Sequence, residues 1–152
     1  MSFEIVKPDP SMLSAMVEIE TRAHPYPWRE SQLASCFGER YINGLLLVNQ
    51  VPAGFYIADL IIDESTLMNI CVLPEYRRQR LGQQLMAHYL TETLNAGCSH
   101  WFLEVRASNL AAQRLYEQSG YTQNGIRKGY YHTDDGREDA ILMSKVPMVE
   151  SS

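Results

Sequence analysis

The stretch from Ser65 to Val105 constrains this chain more than any other. Ser65 to Val72 reads as a strand, and Pro74 closes it. After Arg77-Arg78-Gln79-Arg80, one apolar stripe of Leu81, Leu85 and Tyr89 and a second of Met86, Leu90 and Leu94 describe an amphipathic helix. Gly97 is a natural stop, and His100 to Val105 is then a compact strand with large apolar side chains on both faces, as in the covered middle of a sheet. A helix that crosses over between two strands of one sheet makes them parallel.

The remaining elements attach to that unit through short connections. Leu45 to Asn49 and Ala53 to Leu60 read as strands from Gly44 onward, with Asn49-Gln50 and Ile62-Asp63-Glu64 near the turns, so they form an antiparallel meander with Ser65 to Val72. Ser2 to Lys7 is a further strand. Asp9-Pro10 then starts a helix whose mostly apolar face holds Leu13, Met16, Val17 and Glu20. A rigid aromatic loop, His24 to Trp28, precedes a short helical segment ending near Gly38. Asn109 caps a last helix that stops at Gly120, and strands near Tyr121 to Tyr131 and Glu138 to Lys145 are joined around Asp134-Asp135-Gly136. The expected class is therefore α/β (α+β), with a mixed, mostly antiparallel sheet of six to seven strands flanked by about four helices. At 152 residues the chain suits a single domain over 1–146, followed by a frayed polar tail over 147–152.

Composition removes several function classes. Thirteen basic against 18 acidic residues give a net charge of −5, which lacks the footprint of a nucleic-acid binder and suits a basic peptide better. The longest apolar runs, such as Leu45 to Val48, fall far short of the roughly 18–20 residues of a membrane span. The first residues carry no secretion signal, so cytoplasmic residence is expected. Cys36, Cys71 and Cys98 are scattered and odd in number, which fits a reducing compartment. His24, His88, His100 and His132 lack metal-ligand spacing, so no metal is expected.

The turn before the central helix can hold an anion on physical grounds. Backbone N–H groups at a helix start have no intrahelical acceptor and point outward along a favourable dipole. Arg77, Arg78 and Arg80 add charge, and Gly82, without a Cβ, allows close approach. A solvated basic surface is the plainer alternative.

The run Arg77-Arg78-Gln79-Arg80-Leu81-Gly82 resembles the pyrophosphate-binding turn of the GNAT acetyltransferase superfamily. Asn69 to Pro74 before it, and Asn109 to Tyr121 after it, are similar to the other landmarks of that superfamily in the same order. Gly38 to Tyr41, Leu103 to Asn109, Tyr130-Tyr131 and Asp135 to Ala140 narrow the resemblance to its RimI branch, the ribosomal-protein alanine N-acetyltransferases. The resemblance covers Ile5 to Met143. It implies a GNAT fold whose central parallel pair splays for acetyl-CoA, and acetylation of the amino-terminal alanine of small-subunit ribosomal protein 18, with no nucleic acid or membrane as partner. Broader amino-terminal or lysine acetylation, or an inactive CoA-binding regulatory module, are the alternatives. Arg80 departs from the pattern, standing where the family most often has glycine. At negative φ the arginine is tolerated and can reach a phosphate, whereas positive φ impairs cofactor binding; the intact neighbouring landmarks favour tolerance.

The resemblance also distributes roles. Glu104 interrupts the apolar run Trp101 to Val105, and as general base it would relieve the attacking amine of a proton while a tetrahedral oxyanion forms and the CoA thiolate leaves. Burial of a carboxyl favours such a role, although a structural pair with Arg106 or another cation is the residue-level alternative. Tyr116, otherwise a core aromatic, would protonate the thiolate. Ile70, Cys71 and Val72 would bind the pantetheine arm and polarise the thioester through their backbone; the Cys71 side chain itself reads as core filling. Arg77, Arg78, Gln79, Arg80, Leu81, Gly82 and Gln83 would hold the pyrophosphate, and Asn109 would contact CoA while capping its helix. Tyr26, Trp28, Glu39, Arg40, Tyr41, Tyr130 and Tyr131 form a candidate peptide wall, with Glu39 able to receive a basic peptide. A hydrophobic lid over the core accounts for the same aromatics.

Overall fold

Strand alternation and turn chemistry lay residues 2–147, those described by this computed structural model, around one seven-stranded sheet. The tail expected over 147–152 falls, from residue 148, outside the described residues. The strands are β1 (Phe3–Val6), β2 (Tyr41–Val48), β3 (Val51–Asp59), β4 (Glu64–Val72), β5 (His100–Arg106), β6 (Thr122–Thr133) and β7 (Gly136–Lys145). Across the sheet they run β1-β2-β3-β4-β5-β7-β6, and every neighbouring pair is antiparallel except β4 with β5. This is the mixed sheet expected of the crossover unit.

Four helices cover the sheet: α1 (Leu13–Ala23), α2 (Glu30–Ala34), α3 (Leu81–Asn95) and α4 (Leu110–Gln118). Ahead of α1, Asp9 accepts a hydrogen bond from the Ser11 N–H and Pro10 opens a short 3₁₀ turn. Met16, Ile19 and Leu33 of α1 and α2 pack against Phe55, Ile57 and Cys71 on one face. On the other face Leu81, Leu85 and Tyr89 of α3, with Tyr116 of α4, cover Tyr56, Trp101, Leu103 and Val105. Each fully buried large side chain contributes about 1.5–3 kcal/mol, and the two cores fix both helix layers.

Three features differ from the sequence reading. β2 starts at Tyr41, ahead of Gly44. Gly44 is a point of close approach inside the strand, since a Cβ there would come within 2.3 Å of the Tyr56 ring. β5 is covered on one face only: Trp101, Leu103 and Val105 are buried, while Phe102, Glu104 and Arg106 are half-exposed. The α1 and α2 core contains no residue of β5, β6 or β7, so those helices leave this face of the three strands uncovered. The third difference concerns Arg80 and is described with the site.

The parallel pair separates partway along. β4 and β5 are paired from Glu64↔His100 to Leu67↔Leu103 and no further, although β4 continues to Val72. At the same place Ile57 pairs with Asn69 and Ala58 with Leu67, which leaves Met68 as an extra, bulged residue. The bulge reverses the alternation of β4: Leu67 faces the α3 core, whereas Asn69 and Cys71 face α1. A β-bulge bends and twists its strand, which accounts for the parting of β4 from β5.

Candidate active site

The start of α3 is set by its approach. A 3₁₀ turn over Pro74–Tyr76 leads to Arg77, and Arg80 closes the loop at φ 60°, ψ 21°. This corrects the expectation of a negative φ at Arg80, the condition for its tolerance, and realises the positive φ expected to impair cofactor binding; Arg78 is also left-handed, with φ 67°. The left-handed region is open to side chains at a cost of about 1–2 kcal/mol, so the turn forms with arginine in place. Within α3 the Gln84 N–H bonds back to the Arg80 carbonyl at 3.2 Å, which leaves the N–H groups of Leu81, Gly82 and Gln83 without intrahelical acceptors. A cavity of about 490 Å³ opens over them, bordered by Val72, Arg77, Arg78, Arg80, Leu81, Gly82 and Gln83. At Gly82 a Cβ would make only an ordinary 3.6 Å contact with Leu115, so packing within the protein does not demand glycine there.

The cavity has a second wall that the sequence reading missed. Tyr76 and, from α4, Ala111, Arg114, Leu115 and Gln118 complete it. The i, i+3, i+4 spacing of Ala111, Arg114, Leu115 and Gln118 is the available signal, because it places them along one helix face. Ile70, Cys71, Gln79 and Asn109 lie outside the cavity lining. The Asn109 side chain accepts the Ala112 N–H at 3.1 Å, which is its capping role. Arg77 donates to the Ala23 carbonyl at 3.0 Å and so ties the turn to the end of α1. Burial pushes the Cys71 thiol well above its ordinary range, as suits a core residue.

Glu104 follows Leu103, the last β5 residue paired with β4, and therefore stands where the two strands part. Its side chain is 30% exposed, with Arg127 Nη1 at 3.5 Å from Oε1. The partner suggested as an alternative, Arg106, pairs instead with Glu138 at 3.0 Å. Arg127 is thus the other cation of that alternative, and a half-exposed pair at this distance is a weak tie. Burial pushes the Tyr131 phenol up to about 12, and the Glu104 charge adds to the shift. Tyr116 is buried, and its phenol is raised by burial first, then by Tyr131 and Cys71.

Aromatic contacts link the loop after α1 to β5 and the β6–β7 hairpin. The Arg106 guanidinium lies between two rings, 4.4 Å from the Tyr26 centroid and 4.4 Å from that of Tyr131. The Asp134 N–H also donates to the Tyr26 hydroxyl at 3.3 Å, so the loop after α1 is clamped to the β6–β7 hairpin. Tyr130 packs edge-on to Tyr131 at 5.0 Å, beneath Arg127. Trp28 is half-buried against the α1 core. Glu39 and Arg40 are exposed, Arg40 lies 4.8 Å over the Tyr41 ring, and Tyr41 packs on the α1 core. Among the described contacts, none joins these three to Glu104, Tyr26 or Tyr131.

Glu20, His24 and Cys71 bring ligand-type atoms within 4.8 Å of one another. Hydrogen bonds already engage this group: Glu20 accepts from His24, Trp28 and Asn69 at 2.8, 2.8 and 3.0 Å. The contacts need no ion to explain them. Among the described residues no helix is long and apolar enough to cross a membrane.

Comparison with known proteins agrees with this geometry. Residues 13–121 match the Acetyltransferase (GNAT) family. The chain is 49% identical over 132 residues to the ribosomal protein bS18-alanine N-acetyltransferase of Escherichia coli K12, covering 87% of this chain and 89% of that one. It is 35% identical over 128 residues to the putative enzyme of the same name from Bacillus subtilis, with 83% of each chain covered. The crystal structure of the Escherichia coli ribosomal-protein-S18-alanine N-acetyltransferase matches with a TM-score of 0.92 at 45% identity, over 98% of this chain and 97% of that one. Arabidopsis thaliana NAA60 in complex with acetyl-CoA shares the fold, with a TM-score of 0.87 at 15% identity over 95% of this chain and 98% of that one. With its left-handed basic turn, its splayed β4–β5 pair and these relatives, the chain belongs to the GNAT family of acetyltransferases, enzymes that use acetyl-CoA.

Proposed function

We propose that this protein acetylates the amino-terminal alanine of ribosomal protein bS18, small-subunit ribosomal protein 18, with acetyl-CoA as donor. The observation that carries the reading is the position of Glu104, at the point where β4 and β5 part. The 49% identity to the Escherichia coli enzyme supports the choice of substrate. A cytoplasmic location, beside newly made ribosomal protein, follows from the same reading.

The residues fit acetyl-CoA. The outward N–H groups of Leu81, Gly82 and Gln83 with Arg78, Arg80 and Arg114 would hold the pyrophosphate, and the edge of Ile70, Cys71 and Val72 that β5 leaves unpaired would take the pantetheine arm. The bound donor supplies a thioester-activated acetyl group. An α-amino group with a pKa of about 7.7–8.0 is largely protonated near neutrality, so Glu104 accepts its proton, directly or through water, as the N–C bond forms. A backbone N–H of the free β4 edge meets the negative charge developing on the acetyl oxygen, an interaction typically worth about 2.7–4 kcal/mol. Tyr116 then gives its proton to the sulfur as the C–S bond breaks. Exclusion of water raises the proton affinity of that thiolate as well as of the Tyr116 phenol, which keeps the transfer feasible.

Mass spectrometry tests the reading with a peptide copying the amino terminus of bS18 and a copy with a blocked α-amino group. The free peptide alone should gain one acetyl group. Glu104→Gln should keep acetyl-CoA affinity and lose at least about 100-fold in turnover, and Tyr116→Phe should chiefly slow single turnovers. Acetylation of the blocked peptide would point to lysine transfer instead. Acetyl-CoA binding without turnover by the wild type would identify a regulatory module.

A further inference from the structure

One buried carboxylate has no part in the chemistry described so far. Glu20 lies on the inner side of α1 and is 1% exposed. Its Oε1 accepts from His24 Nδ1 at 2.8 Å and from Asn69 Nδ2 at 3.0 Å, and its Oε2 accepts the Trp28 backbone N–H at 2.8 Å. These donors come from two segments of different function. His24 and Trp28 bound the aromatic loop that carries Tyr26, while Asn69 directly follows the Met68 bulge and precedes Ile70 to Val72 on the unpaired edge of β4.

A charged group in this position is unfavourable for folding unless every lone pair is occupied, and an apolar residue of similar volume would hold a helix against a sheet at less expense. What an apolar residue cannot do is accept directional hydrogen bonds from a loop. Charge-assisted hydrogen bonds are roughly twice as strong as neutral ones and are directional. Here they fix the two ends of the loop, while Pro25 and Pro27 stiffen the chain between them. The Tyr26 ring, at the middle, then meets the Arg106 guanidinium at 4.4 Å and completes the clamp over the β6–β7 hairpin.

We propose that Glu20 is a positioning residue that sets the peptide-binding loop in register with the splayed strand, so that the substrate's amino terminus is delivered to Glu104. The proposal rests on the acetyl-transfer reading above. Glu20→Gln retains the shape but offers one acceptor oxygen to three donors, and its amide faces at least one of them. The loop is then released, whereas β4 remains held by its antiparallel pairing to β3.

The test compares wild type, Glu20→Gln and His24→Phe at a temperature well below the melting point of each. Glu20→Gln should raise the KM for the bS18 peptide by roughly tenfold or more, with kcat at saturating peptide and the acetyl-CoA Kd changed by less than about threefold. Titration of the peptide into CoA-saturated protein should show the same weakening without any turnover. Hydrogen exchange should accelerate over residues 24–28 and stay unchanged over β4. His24→Phe removes one donor at the half-exposed rim, keeps the carboxylate, and should move the peptide KM in the same direction by less; it serves if Glu20→Gln does not fold. A peptide KM within twofold of wild type in the folded variants, or an equal loss of peptide and acetyl-CoA affinity, overturns the proposal. Unchanged exchange over residues 24–28 also overturns it. Failure of the wild type to acetylate the peptide counts against the functional reading alone, because the exchange comparison still tests the loop.

Discussion

Arg80 shows how a single backbone angle shapes the basic turn before α3. Its φ of 60° places a long side chain where glycine is unstrained, and the neighbouring cavity is lined by Arg78, Arg114 and Arg80 itself. Replacing Arg80 by glycine relieves about 1–2 kcal/mol of left-handed strain but restores freedom to the unfolded chain. Arg80→Gly should therefore gain about 0.5–1 kcal/mol, which raises Tm by roughly 1–4 °C in thermal melts. The same change removes a charge from the cavity, so calorimetric titration should show weaker acetyl-CoA binding and a smaller dependence on salt. A lower Tm would mean that the guanidinium stabilises the turn by more than its backbone costs. The sequence identified Arg80 as the departure from the family pattern; its φ depends on the path from the Pro74–Tyr76 turn into α3, which residue types alone do not specify. Glu20 was visible in the same way, as a carboxylate on the otherwise apolar face of α1. Its three donors come from residues 4, 8 and 49 positions away, and only folding brings them together.

At the scale of elements, the proposed active centre lies at a defect in pairing. β4 is held by β3 along one edge and released by β5 along the other, and the close packing of β3 on β4 sets where it lies. Gly54 of β3 faces Val72, and a Cβ at Gly54 would stand 2.5 Å from the Cys71 carbonyl oxygen and 3.2 Å from the Val72 Cα. Backbone cannot yield as a flexible side chain does, so Gly54→Ala should push the end of β4 into the splay. The expected outcome is a loss of about 1–3 kcal/mol in denaturant unfolding and weaker acetyl-CoA binding by titration. Affinity equal to wild type in the folded variant would show that the splay tolerates displacement. The crossover unit, the meander and the terminal hairpin were legible because periodicity and turn residues are local. The one-sided cover of β5 was not, since it depends on how far α1 and α2 reach across the sheet.

For the whole molecule, buried ionisable groups set a window of pH in which the fold is stable. Burial alone would raise the Glu20 carboxyl, but hydrogen bonds from His24, Trp28 and Asn69 together hold it below its ordinary value. The stability that Glu20 contributes is present above its unfolded pKa of about 4.3 and is lost as pH falls through the lower folded value. Burial raises the phenols of Tyr56, Tyr89, Tyr116 and Tyr121, so their contribution is complete below about pH 10 and is lost above it. Thermal melts should give a Tm that is level from about pH 5 to 9 and falls on both sides, with a shallower acid limb in Glu20→Gln. An acid limb unchanged by that substitution would assign it to the other carboxylates, of which Glu75 and Glu138 are also lowered, Glu75 chiefly by its bond to Arg22 and Glu138 by bonds from Arg106 and Ser108 that outweigh its burial. The sequence by itself determined the order of elements, the parallel crossover and the basic turn, because these follow from short-range pattern. Tertiary structure alone decided that Glu104 stands where β4 and β5 part, that Arg106 is held between Tyr26 and Tyr131, and that Glu20 joins a loop to a strand. Those contacts join residues far apart in the chain, and their geometry is fixed by packing on the two faces of the sheet.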